Sequence, residues 1–234
     1  MLRALMRLLR LLLPFLVLLL VAAGCGDDEE SKTEATPQAA AETTPETTET
    51  GCQKVDKPKS KGEGKLSKPT EQLDPAKTYI ATVSTSCGDF KIRLDVKRAP
   101  KTAASFAYLA EDGFYDDTTF HRIIPGFVIQ GGDPLGTGTG GPGYSVVEAP
   151  PKNLAYTRGV VAMAKGGTEP FGASGSQFFV VTGEDVGLPP QYALLGEVTE
   201  GQDVVDTIGS SATDPATEQP IDPVVIETVT IAEE

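Results

Sequence analysis

From residue 79 onward the chain is a succession of short apolar runs, each closed by a turn signal, and this pattern limits the fold more than any other feature. "YIATVSTSCGDFKIRLDV" (79–96) alternates apolar and polar positions on both sides of a turn at Cys87, Gly88 and Asp89, as two half-buried strands do. "TFHRII", "FVIQG", "GVVAMA", "SQFFVVT", "ALLGEV" and "VVIETVTI" follow as further strands. Only two segments read as helices. In "APKTAASFAYLAEDGFY", Ala103, Phe106, Ala107 and Ala110 fall three and four apart, with Gly113 as the stop; the other is "QDVVDTIG". Many short strands with two helices indicate one all-β domain over residues 79–232, a closed barrel or a sandwich. The barrel is the expectation, because closure removes the strand edges that invite aggregation.

The residues before this domain differ in kind. Arg3, Arg7 and Arg10 precede the apolar run "LLLPFLVLLLVAA" (11–23), which has signal-peptide length and falls short of the roughly 20 residues of a comfortable bilayer crossing. Small residues at Ala22, Ala23 and Gly24 stand directly before Cys25. "VAAGC" resembles a bacterial lipobox, with Ala22 where leucine is usual, so residues 1–24 are expected to be a lipoprotein signal peptide and Cys25 the lipidated residue. An ordinary secretory signal and an uncleaved anchor are the alternatives. All three place the rest of the chain outside the cytoplasm.

Residues 26–50 hold eight acids and one lysine, with no aromatic residue, so the segment from Cys25 to residue 50 is expected to be a disordered tether. Residues 51–78 are lysine-rich, and the stretch 52–71 has six lysines against three acids. No amphipathic helical period accompanies those lysines, so an extended, solvated arm is expected rather than a polybasic lipid-binding patch. Residues 72–234 hold 22 acids and 10 bases, which argues against a nucleic-acid partner. Two cysteines remain after Cys25. In an exported chain an even pair favours a Cys52–Cys87 disulfide, and with the single histidine these cysteines match no zinc spacing, so no metal is expected.

Two motifs fail on inspection. "GTGGPG" satisfies G-x-G-x-x-G through Gly138, Gly140 and Gly143, but Pro142 interrupts it and no helix follows, so it reads as a surface loop. "GASGS" ends on Ser176 where a hydrolase elbow needs glycine.

A core alone does not account for "FHRIIPGFVIQGGD" (120–133), which threads the only histidine, an arginine and a glutamine through a strand pair. This stretch, "GSQFFV" (175–180), "YALLGEV" (192–198) and the "APKTAASF" helix entry resemble, in order and spacing, the successive blocks of the cyclophilin family of peptidyl-prolyl isomerases. The resemblance runs from about Tyr79 to Ile231. It implies a closed eight-stranded antiparallel barrel capped by two helices, with no cofactor.

It also implies roles. Arg122 would be the catalytic arginine, Gln130 its polar partner, and Phe127, Val128, Phe179 and Leu188 the proline pocket, with Tyr192 where the family often has histidine. Met163, Ala164 and Lys165 would present backbone to the bound peptide. Gly175, Ser176 and Gln177 would line the adjoining groove, with His121 beside it. Departures from familiar members are the absence of tryptophan, Gly187 at the pocket edge, Val128 for methionine, Lys165 for asparagine and the insertion "GGTEPFGA".

The chemistry suits those residue types. Rotation about an X-Pro bond crosses a barrier of roughly 18–20 kcal/mol, most of it lost C–N resonance, and breaks no covalent bond. In the twisted state the proline nitrogen regains a lone pair, and a fixed guanidinium donor there favours the transition state over the planar ground state. The expected function is isomerisation of X-Pro bonds in exported proteins by a monomer anchored to the membrane. A catalytically weak proline-peptide-binding or chaperone module is the alternative.

Overall fold

The computed structural model describes residues 46–234; the leader 1–24, Cys25 and the tether up to residue 45 lie outside the described residues. The first hairpin forms from β1 (Tyr79–Thr85) and β2 (Gly88–Leu94), paired from Ile80–Arg93 to Thr85–Gly88. Helix α1 (Pro100–Glu111) follows. Next come the short strands β3 (Thr118–Thr119), β4 (Arg122–Ile124), β5 (Val128–Gly131), β6 (Val146–Val147), β7 (Val160–Met163), β8 (Ala173–Ser174) and β9 (Phe178–Val181). The chain ends with β10 (Leu194–Glu200), α2 (Gln202–Gly209) and β11 (Val225–Glu233).

Nine strands form one antiparallel sheet in the order β3-β11-β1-β2-β10-β7-β9-β5-β4, and β6 and β8 make a separate ribbon. The expected ring has eight strands; here the hydrogen-bonded order has nine, and its two ends are linked by the isolated bridge between Thr119, in β3, and Asp133, just past β5. The run "TFHRII" (119–124), expected as a single strand, breaks at Phe120 and His121, so that Thr119 falls in β3 and residues 122–124 in β4. These two strands occupy the two ends of the hydrogen-bonded order. Because those end strands are consecutive in the chain, the sheet has to curl. At the break, Phe120 N donates to Val224 O and Ile123 N to Glu218 O, so loop carbonyls replace a strand partner there.

Strand alternation divides the residues between two apolar clusters. Ile92, Ile123, Ile129, Val161, Phe178 and Val180 point inward with Phe90, Phe106, Tyr115 and Phe120. Phe178 lies edge-on to Phe106, Tyr115 and Phe120 at centroid distances of 5.6, 5.9 and 6.1 Å. Their neighbours Val128, Ala162, Phe179 and Val181 face the other way, into a second cluster with Tyr156. Helix α1 buries Ala103, Phe106, Ala107 and Ala110 as its spacing requires. Its N-cap residue, Ala99, supplies no side-chain acceptor. Glu148, just after β6, does so instead, accepting from the backbone N–H groups of Lys101 (3.2 Å) and Thr102 (2.9 Å).

Cys52 and Cys87 are joined, closing a loop with a sequence separation of 35. A loop of this size carries about 3–4 kcal/mol in the chain-entropy account. Residues 51–78 are extended and mostly exposed, and they also lie along the domain. Gln53 N donates to Ser86 O, and Leu66 and Leu73 pack against the main core. The last residues assigned to the tether differ from expectation. Thr47 bridges Gln53, and Glu46 pairs with Lys54 at 2.9 Å, so the crosslink organises chain on both sides of Cys52.

Candidate active site

Directly opposed residues of antiparallel strands project to the same face. Arg122 is opposite Gln130 across β4 and β5, Gln130 is opposite Phe179 across β5 and β9, and Phe179 is opposite Ala162 across β9 and β7. One row on the outer face therefore carries a cation, an amide and an aromatic ring side by side. Val128 and Val181 form the next row on that face. The pocket residues inferred from sequence come together here: Val128 and Phe179 are buried in the second cluster, with Phe127, Leu188, Tyr192 and Ala164 packed against it.

Tyr156 was not foreseen. It is fully buried, and its hydroxyl donates to Tyr192 O (2.7 Å) while accepting from Tyr192 N (3.0 Å). Burial raises its pKa, and the hydrogen bond to Tyr192 only partly offsets that. Tyr156 thereby fixes Tyr192, whose ring stands at 88° to Phe179 with centroids 5.4 Å apart. Lys165 Nζ lies 5.8 Å from the Tyr192 ring centroid and donates to Gly166 O and Glu169 O.

The polar side of the row is a relay. Gln177 Nε2 donates to Gly140 O (2.9 Å), which leaves its oxygen to accept from Gln130 Nε2 (2.9 Å). Gln130 Oε1 then accepts from Arg122 Nη1 (3.5 Å). Each amide is oriented by the one before it, back to the backbone of the Gly-rich loop. On its other edge Arg122 Nε donates to Glu218 Oε2 at 2.5 Å. Glu218 also went unforeseen, and it sits at φ 59°, a backbone conformation uncommon outside glycine. The Arg122 side chain is about one-third exposed, and among the described residues nothing accepts from Nη2.

Asp133 organises the loop that begins this relay. Burial alone would raise its pKa, but backbone N–H groups of Leu135, Thr137, Gly138 and Gly140 outweigh burial and hold the carboxyl below its usual value. A groove of about 740 Å³ opens beside the row, bordered by Gln130, Ala164, Lys165, Gly175, Ser176 and Gln177, as inferred from sequence. Ser176 is 1% exposed, however, and its hydroxyl donates to Gly132 O (2.7 Å), so that side chain braces the fold rather than facing a ligand. The serine of "GASGS", Ser174, is likewise buried in β8.

His121 stands next to a lining residue of the groove, its ring 3.7 Å from where a Cβ on Gly138 would lie. It is buried, with Nε2 3.5 Å from Gln130 Nε2. Burial is the main influence on its pKa and lowers it, against smaller upward pulls from Asp133, Thr119 and Gln177. An unfolded imidazole titrates near about 6.5. The stability that neutral His121 contributes is therefore complete above about pH 6.5 and is lost as pH falls through the lower folded pKa. His121 is the chain's only histidine, so this window has few competitors. The urea midpoint should fall between about pH 7.5 and pH 5 in the wild type and stay flatter in His121→Gln. Equal slopes in the two proteins would show that His121 carries none of the dependence.

The comparisons with known proteins agree with this geometry. Residues 80–231 match the family model described as cyclophilin type peptidyl-prolyl cis-trans isomerase/CLD. Peptidyl-prolyl cis-trans isomerase B of Streptomyces anulatus is 41% identical over 174 residues, covering 67% of this chain and 98% of that protein. Peptidyl-prolyl cis-trans isomerase A of Mycobacterium tuberculosis is 42% identical over 176 residues, covering 68% of this chain and 94% of that protein. Among solved structures, a cyclophilin type isomerase of Cryptosporidium parvum, crystallised in the presence of the dipeptide Ala-Pro, superposes with a TM-score of 0.61. It is 33% identical, with 66% of this chain and 99% of that one covered.

Proposed function

The chain belongs to the cyclophilin-type peptidyl-prolyl cis-trans isomerase family, and from that premise we propose that it acts outside the cytoplasm on exported polypeptides, held to a bacterial membrane by lipid on Cys25. The Cys52–Cys87 disulfide carries this reading, since such bonds persist in oxidising compartments. The basic start, the apolar run and the small residues before Cys25 support it from the sequence side.

In the mechanism proposed, an X-Pro segment lays its ring on Phe179 between Phe127, Val128, Leu188 and Tyr192. The pocket holds the ring and excludes water while the preceding carbonyl rotates. Arg122, pinned by Glu218 at Nε and Gln130 at Nη1, directs its remaining N–H groups to the proline nitrogen as that atom becomes pyramidal. Gln130 acts mainly by orienting the arginine, because its own Nε2 is engaged by Gln177.

Location is tested by labelling expressing cells with a palmitate analogue. The wild type should be labelled and sediment with membranes, and Cys25→Ser should lose both properties. A soluble, unlabelled wild type would overturn the anchor and leave a plain secretory signal.

A further inference from the structure

One residue on the border of the substrate groove, Glu63, comes from outside the domain. Residues 61–66 of the arm cross its rim and are fastened at several points. Lys61 Nζ donates to the carbonyls of Gly113 (2.9 Å), Phe114 (3.1 Å) and Asp116 (2.9 Å), beyond the C-terminal end of α1. Its backbone N–H reaches Pro134 O, Gly64 N reaches Gly141 O (2.9 Å) and Leu66 N reaches Pro142 O (2.9 Å). A Cβ on Gly64 would lie 2.6 Å from Pro142 Cα, so this closeness requires glycine there.

Between these anchors Glu63 lines the groove together with Gln130, Gln177, Lys165 and Glu169. The other two charged groups in the lining, Lys165 and Glu169, are of opposite sign and bond to backbone of the 166–169 turn. Lys165 Nζ donates to Gly166 O and Glu169 O, and Glu169 Oε2 accepts from Gly166 N, so Glu63 leaves the lining with a net negative charge. Glu63 makes only a long contact, Oε2 to Gly141 N at 3.4 Å, and among the described residues it forms no ion pair. It is an exposed carboxylate on the border of the groove. Gln130 belongs to both the groove lining and the Arg122 row, so a polypeptide with its proline on Phe179 has the groove that Glu63 borders open beside it.

We propose that the arm is part of the substrate site and that Glu63 selects polypeptides carrying a lysine or arginine within a few residues of the isomerised proline. This rests on the chain's isomerase activity. It assigns the arm a role in specificity, a different matter from tethering.

The test measures kcat/KM by NMR exchange, which avoids a coupled protease, on matched proline peptides. These carry Lys, Gln or Glu at each of three positions on either side of the X-Pro pair. At the best position the wild type should favour Lys over Gln about threefold at low salt, the scale of an exposed ion pair, and disfavour Glu. The preference should shrink at high salt. Glu63→Gln should bring the Lys:Gln ratio towards one, and Glu63→Lys should invert it. A wild type indifferent to charge at every position, or a preference that survives Glu63→Lys, would overturn the assignment while leaving the isomerase intact. Turnover of none of the peptides would overturn both.

Discussion

Arg122→Ala is expected to lower kcat/KM for prolyl isomerisation by about ten- to a hundredfold in a protein that remains folded. A hydrogen bond to a charged group is worth about 1.5–3 kcal/mol, and each 1.36 kcal/mol is a factor of ten in rate. That energy bears on the rate because the proline nitrogen accepts a hydrogen bond only when twisting has broken its conjugation. The fold should tolerate the change, since Arg122 lies on the outer face of β4 and both it and Glu218 are partly exposed. Arg122→Lys separates charge from geometry. A lysine cannot reach Glu218, Gln130 and a substrate from one planar fork, so it should recover only a small part of the loss. NMR exchange on a short Ala-Pro peptide measures the effect, with circular dichroism to confirm folding. Near-wild-type turnover in folded Arg122→Ala would remove the arginine from the mechanism.

What could be read from sequence is what repeats with a short period. The alternation of "FVIQG" and "SQFFVV" already separates Gln130 and Phe179 from Ile129 and Phe178, and the structure keeps that separation. Both helices fall where spacing put them, and α2 spans the residues of "QDVVDTIG". The break at Phe120 and His121 gave no signal, because loop carbonyls from Val224 and Glu218 create it. Glu218 was hidden for the same reason: it meets Arg122 across 96 residues of chain, from a loop with no period at all. The two-residue strands β6 and β8 are too short to show alternation. Glu63 was missed because a lysine-rich, non-helical arm looks like solvated chain. Its docking combines backbone hydrogen bonds to Gly141 and Pro142 with three carbonyls that receive Lys61 Nζ, and neither the partners nor the backbone contacts are encoded in the arm's composition.

Truncating two adjacent phenylalanines should separate folding from function. Phe178→Ala is expected to destabilise the domain by about 3–5 kcal/mol, the usual cost of removing a buried ring from a packed core. Phe178 is fully buried and contacts three other rings, so little can collapse into the space it leaves. The fraction still folded should retain most of its activity, because nothing on the outer face has been removed. Phe179→Ala should do the reverse. Its ring is 4% exposed and packs on Tyr192 and Tyr156 at the edge of the second cluster, where the tyrosines can partly close the gap. Its stability cost should be the smaller of the two. The proline, however, loses the surface its ring would rest on. Full burial of an aromatic contact is worth about 1.5–3 kcal/mol, so kcat/KM should fall tenfold or more, chiefly through KM. Urea unfolding and isomerisation kinetics on both variants decide the matter. Equal losses of stability with equal losses of activity would mean that the two faces of β9 are not the division between core and site that strand alternation makes them.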